Sequence, residues 1–227
     1  FFYEASRLMG IDTLNYYAKQ LGLGEKTGVE LPGEVAGNLA GPESREANGE
    51  TWWPGETLQA AIGQSEQQFT PIQMANYMAT ILNGGTRYRP HFLKQVVSYD
   101  YTQVVEEYEP EVLAEMDISE STIEAIKEGM RGVVTDDGTA ASVFRDYPIA
   151  VGGKTGSAQT TASKSQSAHG VFISFAPYDD PQIAVFVLVE HGGSGGNVAP
   201  IVRDIYDAYF GKQTNPDPAP QENTLIY

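Results

Sequence analysis

Lys154, Thr155, Gly156, Ser157 and Ala158 place an ammonium group, two hydroxyls and a glycine in consecutive positions of a stretch that opens like a buried strand, Ile149-Ala150-Val151. A glycine inside a strand packs nothing, and finds its use where a second backbone must come close. At a sheet edge, such a strand can receive an extended peptide through main-chain hydrogen bonds, with Lys154 supplying charge beside it. A loop between two ordinary strands explains the same residues, and on the triplet alone that reading leads, because short motifs recur by chance. A second Lys-Thr-Gly, at Lys26, Thr27 and Gly28, lies between a helix end and a short run closed by Pro32, and reads as a structural connector.

Other candidate groups carry less. Glu106, Glu107, Glu109, Glu111 and Glu115 could bind a cation, but a solvated acidic face is the stronger expectation. His91 and His169 fall in expected strands and His191 ends one, without the clustering a metal site needs. Gly192 to Gly196 precede a helix, yet their spacing is neither a P-loop nor a dinucleotide fingerprint, so a flexible turn is expected. No cysteine is present, which excludes disulfides and thiolate metal sites. Neither a cofactor nor a metal is expected.

The chain of 227 residues, 41% hydrophobic, can build one sizeable core with a smaller lobe. Its formal charge of -16 argues against a nucleic-acid partner, which would require a basic surface. The longest apolar run, Ile183 to Val189, is far shorter than the ~20 residues of a membrane span. Phe1-Phe2-Tyr3-Glu4 reads as the inside of a helix, so the chain is expected to be a fragment.

The elements that must position these groups follow from periodicity. A first helix ends at Gly10, and Asp12 is expected to cap a second with Leu14, Tyr17, Ala18 and Leu21 on one face, stopped by Gly22. Residues 35–55 read as a loop, with at least one of Trp52 and Trp53 plugged into the core. Thr57 to Ile62 looks helical and breaks at Gly63. Thr70-Pro71 opens a helix striped by Met74, Tyr77, Met78 and Ile81. Residues 86–98 and 101–108 suggest a ribbon turning at Tyr99-Asp100. A capping box at Ser121 and Glu124 starts the next helix. After the Lys154 strand, Thr160 to Ala168 reads as a mobile loop, followed by strands over 171–175 and 183–189. Short links make the strands antiparallel, and the continuous apolar third strand implies helices on both faces. The last helix is expected to bury Val198, Ile201, Val202, Ile205 and Tyr209.

Several separate stretches resemble class B penicillin-binding proteins of the penicillin-binding protein 2 group, in that family's order. They are Gly153 to Gln159, Gly129-Met130 with Gly138-Thr139-Ala140, Gly63-Gln64 ahead of Thr70-Pro71-Ile72-Gln73, and Thr27 to Glu34. The resemblance implies an α/β (α+β) fold, an antiparallel sheet covered by helices with a helical lobe, as part of a β-lactamase/transpeptidase-like domain. Residues 1–211 would be its C-terminal portion and 212–227 a disordered tail. Of the family's three motifs, only K-T-G is found: no serine in the sequence has Lys three positions on or Asn two positions on. Implied roles are Lys154 as the cation of the catalytic cleft and the Ser157 backbone N–H as an oxyanion donor. Thr155, Gly156, Ser157 and Ala158 would bind substrate, with Ser157 standing where threonine is commoner. The implied activity is peptidoglycan D,D-transpeptidation, with this chain inactive alone for want of the acylated serine. Stem peptides, β-lactams and a membrane glycosyltransferase are the implied partners, and the outer face of the cell membrane the implied location. A non-catalytic scaffold keeping the fold, or a serine β-lactamase or D,D-carboxypeptidase relative, are the alternatives.

Overall fold

The computed structural model describes residues 1–135, 137–159 and 167–214. Helices α1 (Phe2–Met9), α2 (Ile11–Gln20), α3 (Pro42–Ala47) and α4 (Pro54–Ala60) form a lobe with its own small core. Ile11 and Leu14 of α2 meet Ala40, Ala60 and Trp52 there. Asp12 is not the cap of α2: the helix starts at Ile11 directly after Gly10, and Asp12 sits in the first turn, where its charge suits the positive end of the helix. Trp52 is the expected plug, its indole N–H donating to Thr57 Oγ1 at 3.2 Å, whereas Trp53 is exposed. The segment 35–55 holds α3 and the start of α4, each opened by a proline in its first turn. Proline looks like a breaker in sequence but suits that position, where no helical N–H bond is lost. The connector at Lys26 is structural: Thr27 donates from both N and Oγ1 to Glu34 Oε1, each at 2.6 Å, and Gly28 N donates to Oε2 at 3.1 Å.

Helix α5 (Pro71–Leu82) begins as the sequence dictates, Thr70 and Gln73 capping each other, with Met78 and Ile81 buried. Beyond it, β1 (Thr86–Tyr88), β2 (Gln95–Val97), β3 (Val104–Glu107) and β4 (Val112–Glu115) form nested antiparallel pairs, β2 with β3 and β1 with β4. The expected ribbon is therefore only the inner half of the arrangement. The outer strand β4 lies within the acidic stretch, whose Glu111 pairs with Arg89 at 3.1 Å. His91 is outside any strand and stacks on the Tyr108 ring. Among the described residues, no cluster of His, Cys, Asp and Glu could hold a metal ion.

Helix α6 (Glu120–Val134) is capped by Ser119, whose Oγ accepts from Thr122 N at 3.2 Å, two residues before the expected Ser121. Glu124 pairs instead with Lys127 at 2.9 Å. After α7 (Ala141–Phe144), strands β5 (Gly152–Ala158), β6 (His169–Ala176) and β7 (Ile183–Val189) form an antiparallel sheet of that order, and α8 (Gly195–Thr214) closes the structure. Met78, Met130, Ile173 and Phe175 form the core between the sheet and α5 and α6. On the opposite face Phe172 packs with Phe144, Val198, Val202 and Tyr206. Being an edge, β7 is only half-buried, less than its apolar run implied.

The buried stripe of α8 is Val198, Ala199, Val202 and Tyr206, while Ile201, Ile205 and Tyr209 are 36–42% exposed. Val198 and Val202 are buried as expected, but the buried face is turned by roughly 60° at ~100° per residue, toward Ala199 and Tyr206, because the first turn of the helix is fixed against the sheet. A Cβ on Gly195 would fall 2.3 Å from Val171 O and 2.6 Å from Gly156 N. Farther along, Tyr206 Oη donates to Ser174 Oγ at 2.7 Å, which donates to Gly152 O at 2.8 Å. Burial holds the Tyr206 phenol well above its ordinary pKa, so it stays a donor. Most of the expected mobile loop, 160–166, and residues 215–227 of the expected 212–227 tail lie outside the described residues, whereas 212–214 continue α8 instead of starting the tail.

Candidate active site

Strand β5 pairs with β6 along one side in unbroken register, Gly152 opposite Phe175 through Ala158 opposite His169, and no described strand pairs with its other side. In an antiparallel pair, alternate residues turn both N–H and C=O away from the partner. The side-chain bonds identify which. Arg131 Nη1 donates to Val151 O at 2.9 Å, Lys154 Nζ to Thr155 O at 2.5 Å, and Gln64 Nε2 to Ser157 O at 3.2 Å. The groups of residues 151, 155 and 157 therefore face the open edge, with Gly153 between them.

The edge is not uniformly open. Arg131 seals it from α6 at Val151, and Gly152 and Gly153 are buried, their missing Cβ atoms replaced by the Phe175 and Phe172 rings. From Lys154 to Ala158 it emerges to solvent, with Lys154 and Ser157 exposed. Gly156 differs from its neighbours. A Cβ there would meet Val171 alone, nearest at its Cβ at 3.5 Å, an ordinary contact, so the chain's own packing does not require the glycine.

Lys154, Thr155, Gly156, Ser157 and Ala158 are thus brought together on one exposed rim. They do not all face one way: with no bulge in β5, Lys154 and Gly156 lie on the α5 and α6 face, and Thr155 and Ser157 on the α8 face. Thr155 Oγ1 is already engaged, 2.8 Å from Thr139 Oγ1. The ammonium of Lys154 is exposed at the rim, where it donates to Thr155 O of its own strand.

The profile of the penicillin binding protein transpeptidase domain matches residues 1–207. The chain belongs to that family. It is 33% identical over 242 aligned residues to the peptidoglycan D,D-transpeptidase MrdA of Escherichia coli K12, all of this chain aligning with 37% of that protein. It therefore spans little more than a third of the curated relatives' length. The crystal structure of Pseudomonas aeruginosa PBP2 in complex with WCK 5153 superposes with a TM-score of 0.79 at 34% identity, covering 92% of this chain and 46% of that one. PBP2 from Helicobacter pylori, in its complex with MreC, gives 0.77 at 26% identity, covering 94% and 38%. The α/β class with an antiparallel sheet covered by helices is the fold of these relatives.

Three residues at the rim escape motif reading. Arg131, Gln64 and Thr139 reach β5 from positions 20, 93 and 16 residues away from their partners. Gln64 and Thr139 sit in stretches that resemble the family, but no spacing rule links either to Lys154. Only the fold does.

Proposed function

We propose that this chain is part of a peptidoglycan D,D-transpeptidase domain whose β5 rim holds the acyl donor. The observation that carries the reading is the open edge from Lys154 to Ala158, with outward main-chain groups at 155 and 157 and unclaimed space at Gly156. An extended D-alanyl-D-alanine terminus would lie along this edge as an added strand, and a β-lactam would take the same place. The Ser157 N–H would be one oxyanion donor; removing one such donor typically costs about 100- to 1,000-fold in rate. Lys154 would place positive charge beside the ligand carboxylate. Thr155 and Ser157 hydroxyls would bind that carboxylate from the α8 side, Thr155 with its orientation set by Thr139.

In the reaction so read, a serine hydroxyl attacks the penultimate D-alanine carbonyl. The bond to the terminal D-alanine breaks, and the serine proton leaves with its amine. A neighbouring stem's amine then attacks the ester and restores the serine. That serine would come from the portion of the relatives that these 227 residues do not span, since no S-x-x-K occurs here. The same reading places the work at the outer face of the cell membrane, with a glycosyltransferase as partner. No helix among the described residues is long and apolar enough to cross a membrane, so an anchor would also lie beyond them.

Fluorescent penicillin tests this. The chain as it stands should give no covalent label, and a version extended by its in-frame upstream sequence should label stoichiometrically. Absence of S-x-x-K and S-x-N upstream would favour a scaffold instead. Release of the donor to water in preference to an acceptor amine would favour a carboxypeptidase or β-lactamase.

A further inference from the structure

Gln64 stands on a turn flanked by Gly63 at φ 74° and Ser65 at φ 66°, both in the left-handed region. A serine there is held against its preference by what surrounds it, and such residues concentrate where a side chain must be aimed. Backbone N–H groups of Gly63 and Gln64 donate to Ala60 O and Gln59 O, each at 3.0 Å, tying the turn to the end of α4. The result is a side-chain amide from the helical lobe directed across 93 sequence positions onto Ser157 O at 3.2 Å.

A primary amide is a peptide group without its chain. A strand adding to β5 would bring a backbone N–H to this same carbonyl, because Ser157 is one of the residues turned outward. Gln64 therefore occupies the position where one of the incoming strand's main-chain bonds must form. We propose that Gln64 is a specificity-determining residue: it holds the Ser157 carbonyl in the unliganded protein and yields it to a ligand that carries an N–H at that register. The inference rests on the peptide-binding reading of the rim. A long, exposed neutral bond is weak enough to be displaced. A ligand lacking that N–H cannot replace the donor and leaves Gln64 in place.

The test titrates the isotopically labelled 227-residue chain with N-acetyl-D-alanyl-D-alanine and with its twin methylated at the acetylated amide, reading the Ser157 amide and carbonyl resonances. Gln64→Ala and Gln64→Leu should each tighten the N–H ligand by about three- to tenfold, the range of one displaced hydrogen bond. Neither should change the response to the methylated twin. Weaker binding of the N–H ligand to the variants would make Gln64 a ligand contact and overturn the proposal. Unchanged binding, or the same change for both ligands, would overturn it as well while leaving the rim reading intact. If the N–H ligand leaves Ser157 of the unaltered chain unmoved, the rim reading itself fails, and this inference with it.

Discussion

The hydroxyl of Thr155 shows how much of a site depends on one neighbour. Its partner, Thr139 Oγ1 at 2.8 Å, fixes where the Thr155 oxygen lies without touching the rest of the rim. If Thr139 donates, the Thr155 proton is free to point at a ligand carboxylate, which is the orientation the proposed binding needs. Thr139→Val keeps the shape and removes the hydroxyl. In a chain extended to carry the nucleophile, penicillin acylation should fall by about two- to fivefold, the low end for one hydroxyl bond. The melting temperature should hardly move, since Thr139 is exposed. A matched loss of both would mean that Thr139 only supports the fold. At Gly195 the demand is steric instead: the α8 backbone rests on the bond line between Val171 O and Gly156 N, leaving no volume for a methyl group.

At the scale of elements, the connector between α2 and α3 is organised by a carboxylate. Burial raises the Glu34 pKa, but hydrogen bonds from the Thr27 hydroxyl and from the Thr27 and Gly28 backbones outweigh it, so the net shift is downward. A depressed carboxylate contributes stability above its unfolded value, and loses it as pH falls through the folded one. Wild type should therefore melt at a higher temperature than Glu34→Gln at neutral pH, and the two should converge below the ordinary carboxylate value of 4.5. Calorimetry between pH 7 and pH 3 checks this; a gap that widens with acid would refute it. The sequence made this connector legible as structure, since proline after so short a run excludes a regular strand. It made α5 legible too, because Thr70, Pro71 and Gln73 say the same thing locally that the packing says globally. It failed where two local signals compete. Ser119 and Ser121 both offer a cap to α6, and the chain's entry chooses Ser119. The apolar residues of α8 admit more than one buried face, and contact between Gly195 and β5 selects the one with Tyr206. The rim was visible as a motif, but its depth, from Arg131 at one end to Gln64 at the other, depends on contacts that no window of sequence contains.

Across the whole molecule, stability is concentrated around the sheet that presents the rim. Phe172, Phe175, Val151 and Ala176 are fully buried, and the Tyr206, Ser174 and Gly152 chain of bonds ties α8, β6 and β5 together from inside. The β2 and β3 pair is the opposite case. It is a two-stranded ribbon whose strands, among the described residues, pair only with each other, with every residue of β3 exposed and Tyr99 wholly in solvent. Isolated hairpins are marginal in water, and local opening follows sparse apolar contact. Amide exchange should therefore be slowest along β6, opening only with global unfolding, and fastest at Val104 to Glu107, protected little beyond an open chain. Strand β5 should be intermediate and split by position. Amides turned toward β6, such as that of Gly156, should be protected, while those at Thr155 and Ser157, turned to the open edge, should exchange quickly until a ligand covers them. Slow exchange at Ser157 in the unliganded chain would mean that something other than the Gln64 side chain already pairs with that edge, leaving no vacant strand position for an acyl donor to fill.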